Sequence, residues 1–386
     1  MSRDEPVPRD PEDSPRDKLL FTPGPLTTSA TVKQAMLHDV GSRDEGFLAV
    51  VREVRERLLA TYGLAQTRGW EVVLLQGSGT YAVEAALSSL VPRDGKVLAL
   101  VNGAYGQRIV KMCAAHGIPC EVLRFEENVP VDPAAVDRSL AADRALTHVA
   151  LVHVETTTGV LNPLNEVGRV VFEHRRAFFV DAMSSFGALP LSVEEAHVHC
   201  LAASANKCLE GIPGVAFVLA RREVLEASKG CARTLTLDLH AQWRGLEDDG
   251  QFRFTPPTQV VLALRQALLE HEAEGGVAGR GARYRANHEV LRGGMEALGF
   301  QAYVPRENSS PIIATFLYPR HPRWDFGDFY VRLSQRGFLI YPGKLTRTEC
   351  FRLGNIGRLY TDDVKALLHA IRAVLTEMGV ETPRHG

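Results

Sequence analysis

The sequence offers little to metal, membrane or nucleic acid. Its six cysteines are scattered, at Cys113, Cys120, Cys200, Cys208, Cys231 and Cys350. No CxxC occurs, and no Cys/His spacing suggests a metal site. Reduced thiols in a cytoplasmic protein are the expected state. Charge of one sign is also missing. The formal net charge is −2, so no global basic field draws nucleic acid or an anionic membrane. No apolar run approaches the roughly 20 residues needed to span a bilayer. Residues 1–18, MSRDEPVPRDPEDSPRDK, are charged and Pro-rich and lack the apolar core of a secretory signal. They read as a disordered extension before Leu19. Internal repeats are absent.

What is present is ordinary globular composition, 45% hydrophobic and 23% charged, in 386 residues. That much chain supports a large core, expected in two domains. Short apolar runs alternate with helical spacing from Glu71 onward, the pattern of an α/β fold with a mainly parallel sheet. Glu71 to Leu75 reads as a strand, followed by Gly77-Ser78-Gly79-Thr80 and a helix to Leu90. Strand, glycine turn and helix start form a geometry that holds a phosphate, although a tight turn with a Thr cap fits too. No third glycine and no Lys-Ser/Thr follows, so neither the dinucleotide nor the nucleoside-triphosphate fingerprint fits.

The next strands are read at Lys96 to Val101, Cys120 to Phe125 and Leu146 to Val154. The first leads to Tyr105 between two glycines, placed to stack on a flat ring or simply to pack. The last leads to Thr156-Thr157-Thr158, a hydroxyl cluster at the same sheet edge.

The stretch Phe178 to Val218 carries the sharpest signal. One apolar run ends in Asp181, and the next small-residue run ends at Lys207. An acid and a lysine at neighbouring strand ends are what a pyridoxal phosphate enzyme needs. The lysine forms the Schiff base, and the acid keeps the pyridine nitrogen protonated so that the ring can accept electrons. Cys208, beside Lys207, reads as structural. Ser78/Thr80, Tyr105, Thr156/Thr157, Asp181 and Lys207 thus fall, in order, at successive strand ends.

The C-terminal part reads as α+β. A loop at Phe252–Thr258 precedes a helix from Val260 to Glu272. Gly275-Gly276 and Gly279-Arg280-Gly281 read as a breakpoint before a helix from Tyr284 to Leu298. Domains are therefore expected at 19–270 and 271–386. Arg352 lies in an apolar strand before a glycine. A buried arginine there needs an anionic partner, either a ligand's or an Asp or Glu in a structural ion pair.

These motifs resemble the fold-type I pyridoxal phosphate aminotransferases, in the branch of the alanine–glyoxylate and serine–pyruvate transaminases. The shared pattern runs from Leu19 to Met378. More narrowly, LLFTPGPLTTS, LLQGSGTYAVEA, NGAYGQR, HVETTTGVLNP, VDAMSSFGALP, SANKCLEGIPG, RFTPPTQ and YPGKLTRTECFRLGNIG resemble the 2-aminoethylphosphonate–pyruvate transaminases.

The resemblance implies a large, mainly parallel sheet domain and a smaller α+β domain. It implies pyridoxal 5'-phosphate as cofactor, with 2-aminoethylphosphonate and pyruvate as substrates. Lys207 would be the Schiff-base lysine and Asp181 the partner of the ring nitrogen. Ser78, Gly79 and Thr80 would bind the cofactor phosphate, Tyr105 would stack on the ring, and Thr156 would reach its hydroxyl. Thr255 would reach the phosphate from the other subunit of a homodimer. Arg352 would hold the acceptor's carboxylate. Val40 departs from the pattern, where Trp is expected, beside the Gly41–Asp44 loop. Arg43, Thr27 and Thr28 are candidates for the rest of the substrate pocket.

Overall fold

The computed structural model describes residues 17–343, 345 and 348–380. All but two residues of the expected N-terminal extension lie outside them, as do Lys344, Thr346 and Arg347. The frame is a seven-stranded sheet in the order Trp70–Gly77, Gly214–Arg221, Cys200–Ser204, Ala177–Asp181, His148–Val152, Val97–Val101, Cys120–Arg124. Gly214–Arg221 is antiparallel to both neighbours. The other six strands run one way, so their C-terminal ends share one edge. Burial is nearly continuous in five of them, as a sheet covered on both faces requires, and only partial in the edge strand Cys120–Arg124.

Two expected strands end early. The run from Leu146 stops as a sheet strand at Val152. There the His153 N–H donates to the Asp181 carbonyl at 2.9 Å, and Val154–Glu155 turns back on Val160–Leu161 as a small hairpin. The run toward Lys207 stops at Ser204. Lys207 sits in a turn closed by the Glu210 N–H on the Lys207 carbonyl (2.8 Å) and the Gly211 N–H on the Ala205 carbonyl (2.8 Å).

A second apolar core lies apart from the large sheet. It gathers Phe300, Phe316, Phe329 and Phe351 with residues of the helix Thr361–Met378. A three-stranded sheet, Ile313–Leu317, Cys350–Gly354 and Tyr341–Pro342, carries Arg352 in its central strand. Phe21 belongs to this core, because Leu19–Leu20 pairs in parallel with Phe338–Leu339.

The glycine-rich breakpoint is shorter than the sequence suggests. Only Gly275 and Gly276 adopt left-handed backbone, with φ of 96° and 64°. The helix Gly276–Ala297 then runs straight through Gly279 and Gly281. Gly281 is small for a different reason. A Cβ there would lie 2.3 Å from the Ala188 carbonyl oxygen, so the helix can dock only without a side chain.

Gly281→Ala should therefore lose stability despite alanine's better helix propensity. The expected loss is about 1–3 kcal/mol, the usual cost of overpacking, and denaturant unfolding measures it. A gain in stability would show that the helix docks more loosely than described.

Candidate active site

The shared sheet edge gathers the chemistry. Gly79, Thr80, Tyr105, Arg108, Asp181 and Met183 line one cleft. At its mouth, Gly77 turns with φ of 118°, and Ser78 caps the helix Gly79–Leu90 in extended backbone. The Ser78 side chain makes no capping bond, so the first N–H groups of the helix are not filled by it. Gly79 is pressed against Met183, where a Cβ would come within 2.1 Å of Sδ. Thr80 Oγ1 accepts a bond from Arg108 Nη1 at 2.9 Å. The Arg108 guanidinium also lies 4.6 Å from the Tyr105 ring centroid. A cradle of small residues backed by a cation suits a phosphate.

Asp181 is buried at the end of its strand, 5% exposed, and accepts the Met183 N–H at 2.9 Å. Burial pushes its carboxyl up to about 6. Glu155 adds to the rise, while the Met183 N–H, Arg108 and Lys207 oppose it. Lys207 Nζ donates to the Pro23 carbonyl at 2.5 Å. Gly24 leaves room for the amine. A Cβ there would lie 2.9 Å from Nζ, and its φ is 118°.

Thr156 Oγ1 is bonded to Ser184 Oγ at 2.7 Å, and the Thr156 carbonyl accepts from Arg352 Nη1 at 3.1 Å. Arg352 is 1% exposed, and its Nε donates to the Pro342 carbonyl at 3.1 Å. Burial holds its pKa below the usual guanidinium value. Among the described residues it has no carboxylate partner, so the structural ion pair that the sequence left open is not formed there. Thr255 lies on an exposed loop. Cys208 is buried and its thiol donates to the Ser184 carbonyl. Burial pushes that thiol up to about 12, so it stays protonated, in its structural role.

Three contributors escape sequence reasoning. Arg108 stands in the NGAYGQR motif with nothing local to mark its role. Glu155 is fully buried and accepts from the Thr157 hydroxyl (2.5 Å) and from the Tyr105 and Gly106 N–H groups (3.3 and 3.2 Å). It ties Tyr105 to the threonine turn. Ser204, three residues before Lys207, is 3% exposed, and its Oγ has no hydrogen-bond partner among the described residues. A threonine-flanked acid after a buried strand and a serine one turn before the lysine are the available signals.

The donor set fits a flat, phosphorylated, cationic ring. Asp181 is an acid in want of a nearby cation, Ser204 a buried hydroxyl in want of a partner, and the Gly77–Thr80 turn an anion cradle.

The family described as aminotransferase class-V matches residues 28–337. The chain belongs to this family.

Among aminotransferases, a 2-aminoethylphosphonate–pyruvate transaminase of Pseudomonas putida is 49% identical over 362 residues, covering 94% of this chain and 98% of the relative. The alanine–glyoxylate aminotransferase of a Nostoc species superposes with a TM-score of 0.86 at 26% identity, covering 96% and 98% of the two chains. The ureidoglycine–glyoxylate aminotransferase of Bacillus subtilis, at 22% identity and a TM-score of 0.87, covering 99% and 96%, shares the fold. The fold is that of the fold-type I aminotransferases, as the sequence led one to expect.

The raised Asp181 carboxyl has a cost in the cofactor-free protein. Folded and unfolded states are both protonated below the ordinary value of 3.8, and stability is lost as pH rises through about 6. The full loss is roughly 3 kcal/mol. Cofactor-free Asp181→Asn should melt above wild type at pH 8, with the gap closing toward pH 4. Thermal melts across that range check it; a gap independent of pH would point to packing instead.

Proposed function

We propose that this aminotransferase moves the amino group of 2-aminoethylphosphonate to pyruvate, giving phosphonoacetaldehyde and L-alanine, with pyridoxal 5'-phosphate as cofactor. One observation carries the reading. The Asp181 and Lys207 strands lie side by side and parallel, in a chain 49% identical over nearly its whole length to transaminases of that name. The cofactor, when bound, supplies an electron sink for the substrate carbon that loses its proton.

The chain's own residues do the rest. Ser78, Gly79 and Thr80 would hold the phosphate, with Arg108 behind Thr80. Tyr105 would cover the ring face and Thr156 reach its hydroxyl. Asp181 would keep a proton on the ring nitrogen, and that positive charge would in turn relieve its own burial. Lys207 Nζ would hold the cofactor covalently, and its amine would take the proton off the donor carbon and later deliver one to the acceptor carbon. Arg352 binds the carboxylate of pyruvate. Arg43, Thr27 and Thr28 remain candidates for the phosphonate.

The same reading includes a homodimer. Tyr81, Leu235 and Phe254 are 52%, 70% and 39% exposed around the loop that carries Thr255. A second copy covering them would bring its Thr255 to the phosphate. The reading also places the protein in the cytoplasm, which the six free thiols support. No helix among the described residues is long and apolar enough to cross a membrane. A division into two domains near residue 270 is supported by the two separate apolar cores.

The test is a half-reaction. Cofactor-loaded protein is mixed with 2-aminoethylphosphonate, L-alanine or L-serine, without keto acid, and the visible cofactor band is followed. Loss of the band with the phosphonate and with alanine supports the reading. Loss with alanine or serine alone would move the function to an alanine or serine transaminase on the same fold.

Lys207→Ala should abolish turnover, and near-normal turnover would sink the assignment. Arg352→Gln should raise KM for pyruvate by roughly 10- to 100-fold, the worth of a charged hydrogen bond. The donor half-reaction reports whether the phosphonate shares that arginine.

A further inference from the structure

Glu210 is an unfavourably placed residue with no part in the mechanism above. It is 3% exposed, and its backbone sits in the left-handed region with φ of 61°, strained for a residue with a Cβ. Its carboxylate accepts from Tyr284 Oη at 2.6 Å and Arg283 Nη2 at 2.7 Å, and lies 3.6 Å from Arg280 Nη1. Glu274 also pairs with Arg280 Nε (2.6 Å) and Arg283 Nε (2.7 Å). Two carboxylates and two guanidiniums thus balance, largely out of water. Such a cluster is a weak source of net stability, because desolvation offsets the attraction. A glycine would relieve the backbone and a hydrophobic set would fill the space.

The cluster's connections suggest its use. Positions 280, 283 and 284 share one face of the helix Gly276–Ala297. That face touches the Lys207 turn on one side, through Glu210 and through Arg280 Nη1 on the Cys208 carbonyl (2.5 Å). On the other side it holds the segment that follows Arg352. Tyr284 Oη accepts the Gly357 N–H at 3.1 Å, and Arg283 Nη1 donates to the Gly357 and Leu359 carbonyls at 2.6 and 3.1 Å. Asn355 Nδ2 donates to the Tyr284 carbonyl at 3.1 Å. The circuit also closes through the site itself. Arg352 donates to the Thr156 carbonyl, Thr156 Oγ1 meets Ser184 Oγ, and the Ser184 carbonyl accepts the Cys208 thiol.

We infer that Glu210 is a positioning residue that fixes the separation between the Lys207 amine and the Arg352 guanidinium, acting through Tyr284 and the Gly357 turn. This rests on the proposed function, in which the proton moved by Lys207 goes to a carbon whose neighbouring carboxylate sits on Arg352. An error in that separation misaligns the transfer even when both groups are intact.

The test uses the cofactor-loaded enzyme. Glu210→Gln keeps the shape and an acceptor for Tyr284 but removes the charge. Tyr284→Phe removes only the hydroxyl. Visible circular dichroism of the bound cofactor reads the lysine attachment without any substrate, and rapid mixing reads each half-reaction. Glu210→Gln should weaken the dichroic band and slow both half-reactions by roughly 10- to 100-fold. Tyr284→Phe should leave the band and the donor half-reaction unchanged and weaken pyruvate binding by about tenfold. In an Arg352→Gln background it should add little further.

Full cofactor loading with an unchanged band and rates within twofold for Glu210→Gln would overturn the inference. If that variant does not fold, Tyr284→Phe decides, and pyruvate binding within twofold of wild type, or full additivity with Arg352→Gln, overturns it. A wild type inert toward 2-aminoethylphosphonate would overturn only the donor assignment, since the band and the alanine and pyruvate arms are read without that donor.

Discussion

Six strands that point the same way are the constraint from which the site follows. Parallel neighbours must be joined by crossovers, so each strand's C-terminal end releases its chain at the same edge. The glycine cradle, Tyr105, the threonine turn, Asp181 and Lys207 are each found at or just past such an end. The one antiparallel strand, Gly214–Arg221, starts at that edge and lets the Lys207 turn fold back against it. Reversing any of the five strands that carry these groups would move its functional residue to the opposite side of the sheet.

The site gives up stability for chemistry in a consistent way. Asp181 is buried with its carboxyl pushed up, and among the described residues Arg352 is buried with carbonyl oxygens and no carboxylate as partners and Ser204 Oγ is buried without a partner. Each arrangement is unfavourable by itself, and each becomes favourable beside a ligand of opposite character. The large apolar core behind the sheet offsets these penalties. Glu155 and Glu210 differ in kind. They are buried acids whose hydrogen bonds are already filled from within the chain, so they shape the site without waiting for a ligand.

Much of this was legible in the sequence because it is local. Apolar runs ending in Asp181, Tyr105 or Thr156 show strand and edge together, and the glycines at 77 and 79 announce a turn that admits an anion. What was not legible depends on contacts between distant segments. Gly279 and Gly281 look like helix breakers, yet both sit inside the helix Gly276–Ala297, and Gly281 must be small because Ala188 from another segment presses against it. Ser204 and Glu155 look like ordinary strand-end polar residues until their burial is known. The strand toward Lys207 reads through to the lysine because alanines and serines carry no mark of where pairing stops. Phe21, placed by sequence position with the large sheet, packs in the other core.

That last placement has a consequence for how the chain is made. Lys18 bonds Ser334, 316 residues away, and the adjoining Leu19–Leu20 strand has no other partner strand than Phe338–Leu339 among the described residues. At synthesis rates of roughly 5–20 residues per second, the first segment waits tens of seconds for its partner to leave the ribosome. The large sheet, complete by Arg221, can form during that interval. Pro23, whose carbonyl receives the Lys207 amine, is tethered to the waiting segment. Pro23 is therefore set over the lysine by segments made after the large sheet, the helix Thr258–Ala273 that packs on Val32 and then the strand Phe338–Leu339.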